Sequence, residues 1–215
     1  MSTEKIPNLP TSLGSFVNMP KGEIRKRQRE AIRWYLDKID LDKKTIEPED
    51  MFKGKRNVNV PLVGQLLFFK YDAKHKDTLP YWDRYPLAMI IDIREDSFLS
   101  LNLHYLDYAS RNLLIFYLLK TIHRNNPNRD GRAAARINYM LTKTLSQYHF
   151  IKPAIKQHNF DRIRSKIIRV PVQEWPHAIF LPLQRFQKAS YQKVLADSWQ
   201  KIHKDYYAVN RSPVR

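Results

Sequence analysis

The sequence predicts an α+β protein, and three observations carry that expectation. Residues 64–106, GQLLFFKYDAKHKDTLPYWDRYPLAMIIDIREDSFLSLNLHYL, are dense in β-branched and aromatic side chains. That block is nearly neutral, with 5 Lys+Arg against 6 Asp+Glu over residues 60–106. On either side the apolar period turns helical and the chain turns basic, with 13 Lys+Arg against 9 Asp+Glu over residues 1–59 and 20 against 6 over 107–215. Short strands joined as a meander with one longer loop suit a small, strongly bent SH3-like β-barrel, here flanked by helices.

Residues 1–21 read as an extended N-terminal arm, with Pro7, Pro10 and Pro20 and no periodicity. Residues 22–59 read as a helix and linker. Helix signals begin at Lys21, and Ile24, Ala31, Ile32, Tyr35, Leu36 and Ile39 form an apolar stripe ringed by Arg25, Lys26, Arg27, Arg29 and Arg33. Pro48 and Gly54 break the stretch that follows. Residues 60–106 are the strand-rich barrel core. Strands are expected at 63–71, 86–94 and 98–105, with a polar connection at 72–85 and a tight turn at Glu95-Asp96-Ser97.

Residues 107–164 read as a basic helical segment. Asp107 or Ser110 is placed to cap a helix running to Arg124, because a side-chain oxygen there accepts a free backbone N–H. NNPNRDG at 125–131 is a turn, a second helix is expected over 132–148, and a short one over 152–164. Residues 165–207 are closing strands and a C-terminal helix. Strand character returns at 167–172 and 178–183, the latter expected to rejoin the sheet and close a barrel of about five strands. The helix covers 191–207, and 208–215 is a tail.

With 215 residues the chain is long enough for one domain with appendages and a real core. The absence of Cys excludes disulfides, thiolate metal sites and a thiol nucleophile. The N-terminus lacks a signal-peptide apolar core, and no stretch approaches the roughly 18 apolar residues of a membrane span, so a soluble protein without a membrane partner is expected.

No glycine-rich phosphate loop, HExxH or GxSxG occurs, and the seven histidines never fall at i, i+4. No catalytic residue, metal site, cofactor or small-molecule substrate is therefore assigned. Asp83, Asp92 and Arg94 loosely echo a metal-dependent nuclease. However, the acids of this region lie in turns and at strand ends, where Asp bonds local backbone and pairs with Lys74, Lys76 and Arg84. His104 is expected to make a structural hydrogen bond. Tyr81, Trp82 and Tyr85, in the proline-bracketed loop 80–86, suit either base stacking or pinning of that loop against the barrel.

The basic residues point outward. Arg124, Arg129, Arg132, Arg136, Lys143, Lys152, Lys156, Arg162, Arg164, Lys166 and Arg169 are the expected DNA-binding set, since phosphate contact needs many cations in rough alignment and no special geometry.

Three motifs carry a resemblance: G-x-L-x-F-F-x-Y-D, K-D-T-L-P-Y-W-D-R-Y-P-L and F-L-S-L-N-L-H-Y-L. Together with REAIRWYLDKI upstream and RSKIIRVPVQEWPHAIFLPLQRFQKAS downstream, they resemble small basic virion proteins of T4-like contractile-tailed bacteriophages, the DNA end protector or head-completion family. The likeness spans residues 28–200 in outline and is dense in 64–106 and 164–189. Ser100 stands where the pattern leads one to expect glycine, and the tail is short.

The resemblance implies a non-enzymatic virion protein. It would bind the end of the packaged double-stranded DNA near the portal, travel with it into the host and shield it from exonuclease. Partners implied are the DNA end and portal, neck or tail subunits. Tyr71, Asp72, Pro80, Tyr81, Asp83, Pro86, Asn102, His104 and Tyr105 are then architectural. Two alternatives stay open: a structural adaptor of the neck, tail or baseplate docking on acidic subunits, and a metal-dependent nuclease.

Overall fold

The computed structural model describes residues 19–54, 57–124 and 151–210, which form an α+β fold around an antiparallel sheet. In chain order the helices are α1 (Lys21–Lys38), α2 (Tyr108–Arg124), α3 (Trp175–Ala178) and α4 (Tyr191–Asn210). The strands are β1 (Asn57–Val58), β2 (Leu66–Phe68), β3 (Trp82–Asp83), β4 (Leu87–Ile93), β5 (Ser97–Asn102), β6 (Ile155–Asn159), β7 (Ile167–Val170) and β8 (Phe186–Gln187). The main sheet runs β1-β7-β2-β4-β5-β6, and β3 pairs with β8 as a separate ladder.

The near-continuous apolar runs of β2 and β4 follow from burial on both faces. Leu66, Phe68, Leu87, Met89 and Leu101 face a large core shared with the helices. Leu67, Phe69, Ala88, Ile90 and Phe98 face a smaller core on the other side, with Tyr71 and Ala73. The register shift between Ile90 and Asp92 marks a bulge, which bends β4 around that smaller core. Gly64 supplies the left-handed turn into β2, at φ 83.

α1 buries Ala31, Tyr35 and Leu36, the centre of the stripe read from the sequence. It docks on α3, where Trp34 stacks on His177 at 4.5 Å and Lys38 pairs with Glu174. At α2, Asp107 is the cap: its Oδ1 accepts from the Ser110 amide at 2.8 Å and its Oδ2 from the Ser110 hydroxyl at 2.9 Å.

Three expectations are corrected. Among the described residues the sheet is open, since its edge strands β1 and β6 do not pair with each other, and no closed barrel forms. Residues 178–183 do not rejoin it. Pro176 sits in the first turn of α3, the position where a missing N–H costs least, and the Ile179 carbonyl accepts from Arg111 at 3.2 Å instead of a strand. The short helix expected over 152–164 is instead a 3-10 turn (Lys152–Ala154), strand β6 and a second 3-10 turn (Phe160–Arg162). Its inward positions are Lys156 and His158, so β6 lacks the apolar alternation that announces a strand. The expected turn at 125–131 and helix at 132–148 lie outside the described residues.

Candidate nucleic-acid interface

The turn after β6 and strand β7 carry a row of cations. Arg164, Lys166 and Arg169 are exposed, and half-buried Arg162 pairs with Asp161, Nε to Oδ2 at 3.1 Å. The row is held to the sheet by backbone. Arg164 N–H donates to the Lys70 carbonyl at 2.8 Å, Asp72 N–H to the Arg162 carbonyl at 3.1 Å, and Lys70 N–H to Ser165 Oγ at 2.8 Å. Arg169 stands on β7, and the turn that carries Arg164 and Lys166 is tied to the sheet by these bonds, which lowers the entropic cost of phosphate contact. Lys152 is exposed in the preceding 3-10 turn. Arg124 ends α2, and Arg129, Arg132, Arg136 and Lys143 lie outside the described residues.

Other cations of the chain bond carbonyls of the fold, one of them buried and one at the surface. Arg111 is wholly buried and donates to the carbonyls of Leu106 (2.9 Å), Ile179 (3.2 Å) and His104 (3.4 Å) and to the Tyr191 hydroxyl (3.0 Å). Its guanidinium also lies 4.5 Å from the Tyr108 ring centroid. It ties α2 to α4 and to the chain after α3. Lys188 donates to the carbonyls of Lys76 (2.5 Å), Asp77 (3.1 Å) and Leu79 (3.3 Å), pinning the long 72–85 connection.

Beneath that connection lies a buried polar network. Asp83 Oδ2 accepts from His104 Nδ1 at 2.7 Å and Asn102 Nδ2 at 3.1 Å, and its Oδ1 accepts from the Tyr85 amide at 3.1 Å. Burial alone would raise the Asp83 carboxyl, but His104, Asn102 and Tyr85 outweigh it and hold it below the usual carboxylate range. Burial pushes the His104 imidazole down against the pull of Asp83, so the ring is neutral, with its proton on Nδ1. The Asn102 side chain also accepts from the His104 amide at 3.1 Å, capping the 3-10 turn Leu103–Tyr105. Asp83 is thus a structural clamp, whereas Asp92 is exposed and pairs with Arg94 at 3.7 Å.

Residues 17–202 match the family described as Phage T4 terminal DNA protecting protein. The chain belongs to that family. No curated protein and no solved structure matches it. The end-protecting family is a bacteriophage DNA-binding family and not a known enzyme family.

The structure also groups two sets of cations that sequence spacing does not connect. The exposed face of α1 carries Arg25, Lys26, Arg29 and Arg33, which the sequence shows only as the surroundings of an apolar stripe. A recess of about 570 Å³ between the 72–85 connection, β6 and α4 gathers Lys74, Lys156 and Lys201 with Tyr81, Trp82 and Tyr105. The Lys156 ammonium lies 4.0 Å from the Tyr105 ring centroid and is largely enclosed. Burial, reinforced by the like charge of Lys201, pulls its pKa down to about 8. The signal in the sequence was a lysine and a histidine, Lys156 and His158, in alternate positions of a segment too polar to read as a strand.

Proposed function

We propose that this protein is a non-enzymatic virion component that binds the end of the packaged double-stranded DNA and shields it from host exonuclease. Family membership supports the end, and the exposed cations Arg164, Lys166 and Arg169, on β7 and the hydrogen-bonded turn before it, support the duplex. The observation that carries the reading is that Arg164, Lys166 and Arg169 are exposed whereas Arg111 is buried and bonded within the fold. Lys152, Arg162 and the basic residues from Arg124 to Lys143 extend the same contact set.

A head- or neck-completion role is part of the proposal. Exposed Val60 and Leu62, 72% and 46% accessible on the connection between β1 and β2, support docking on a neighbouring virion subunit. The strand order β7-β2-β4-β5-β6, with a 3-10 turn between β6 and β7 and the isolated Tyr71–Ile163 bridge, supports an SH3-like reading of the curled sheet.

The test is retardation of blunt linear duplex across a salt series. A DNA binder loses affinity log-linearly, by roughly 0.9 log units per phosphate contact per decade of salt. A neck, tail or baseplate adaptor leaves the duplex unshifted at low salt and copurifies with acidic subunits instead, and that result would displace the reading.

A further inference from the structure

The recess beside β6 is built unlike the exposed row. Lys156 and His158 occupy the inward positions of β6, where a sheet ordinarily places apolar side chains. Local chemistry at odds with its fold is the usual mark of a binding site. His158 is accounted for: its Nδ1 meets Ser100 Oγ at 3.1 Å and its ring stacks on Phe98 at 5.3 Å. Lys156 is not. Among the described residues no carboxylate pairs with it, and the enclosed carboxylate of the recess, Asp83, is already engaged by His104 and Asn102. Asp96 stands exposed at the rim, accepting from its neighbour Ser97 at 2.8 Å, and Asp197 is shared between Tyr81 and Lys193, the latter at 2.7 Å. A largely enclosed ammonium beside a second lysine, Lys201, therefore faces a cavity without a counter-anion of its own.

The walls fix the class of anion. Tyr81 and Trp82 are half-buried at the edge of the cavity, and Tyr105 lies under Lys156. Aromatic side chains beside cations are the pairing that receives nucleotides, with base against ring and phosphate against ammonium. A volume of about 570 Å³ suits one nucleotide. A phosphodiester inside a duplex is flanked by stacked sugars on both sides and cannot enter a recess without unstacking them. A terminal 5′-phosphate can, and as a monoester it carries a charge of about −2 against the −1 of a diester.

We propose that this recess receives the 5′-phosphorylated terminal nucleotide of the bound duplex, with its phosphate on Lys156 and Lys201 and its base against Trp82 and Tyr81. The inference rests on the DNA-end reading and gives it a chemical basis: the exposed row holds the duplex, and the recess recognises that it ends.

The full chain is titrated against three otherwise identical duplexes: blunt with 5′-phosphates, blunt with 5′-hydroxyls, and closed by hairpins at both ends. The 5′-phosphate duplex is expected to bind ~10-fold tighter than the other two. Lys156→Gln and, separately, the exposed Lys201→Gln are expected to erase that preference, bringing the affinity ratio of the 5′-phosphate to the closed duplex to about one. Equal affinity for all three duplexes, or a preference that survives both substitutions, would overturn the proposal while leaving duplex binding intact. Failure to bind any duplex would instead sink the DNA reading. The recess is then judged by tryptophan fluorescence with a deoxynucleoside 5′-monophosphate, where a quench lost in Lys156→Gln upholds a nucleotide site and no quench refutes it.

Discussion

Lys156 and Arg169 lie 13 positions apart in one basic stretch, yet they end in opposite surroundings. Arg169 points into water from the middle of β7, while Lys156 points inward from β6, its ammonium over an aromatic ring. Arg111, another cation of the basic C-terminal half, lies deeper still, with every hydrogen bond made to carbonyls or a hydroxyl. Net charge therefore overstates the cation available to a polyanion. Part of it is structural, part forms a recess, and only the remainder forms a surface.

Substitution separates these roles. Arg111→Met should destabilise most, by ~3 kcal/mol or more, because it strands the Leu106, Ile179 and His104 carbonyls in the interior; denaturant unfolding measures it. Asp83→Ala should cost a comparable ~2–3 kcal/mol by orphaning His104 Nδ1 and Asn102 Nδ2, and should leave the outcome of a magnesium-dependent nuclease assay unchanged. A retained fold and a newly lost cleavage activity would contradict the clamp.

Acid should expose the same interior. Burial holds His158 down to about 3, against an ordinary value of 6.5. Its neutral form is favoured in the fold, so its contribution is complete above the unfolded value and is lost as pH falls from about 6.5 towards 3, with a slope approaching ~1.4 kcal/mol per pH unit. Asp50, held at about 2 by the Glu47 amide, Lys53 and Lys43 against the opposing effect of burial, adds a second loss between its ordinary 3.8 and 2. Asp50→Asn should cost ~2 kcal/mol at neutral pH and flatten the lower part of that acid transition. A melting temperature independent of pH between 6.5 and 4 would contradict the His158 assignment.

The smallest effect on stability belongs to the surface. Arg164→Gln, Lys166→Gln and Arg169→Gln together should leave unfolding within ~0.5 kcal/mol of the parent. In DNA binding they should lower the salt slope by roughly 0.9 per charge removed. A change in stability without a change in slope would place these residues with the interior set.

What the sequence could reveal follows from periodicity. α1, β4, β5 and α4 were legible because apolar residues recur at the spacing of their element, and Asp107 was legible as a cap because its acceptor precedes a helical run. β6 was hidden because its buried face is polar. Residues 178–183 misled because a continuous apolar run, AIFLPL, reads as strand whichever element buries it. In the candidate site, Arg164, Lys166 and Arg169 could be read from charge alone. Lys156 was read from charge with the same set, and Lys201 sits in a helix 45 positions away that no spacing rule connects to it.

An exonuclease challenge asks most directly whether the exposed cations and the recess together guard a duplex end. Linear blunt duplex carrying 5′-phosphates is incubated with a processive exonuclease at low salt, with and without the full chain. Protection is predicted, weakening steeply as salt rises and reduced by the triple Arg164, Lys166 and Arg169 substitution. Digestion at the same rate with and without the protein would contradict it.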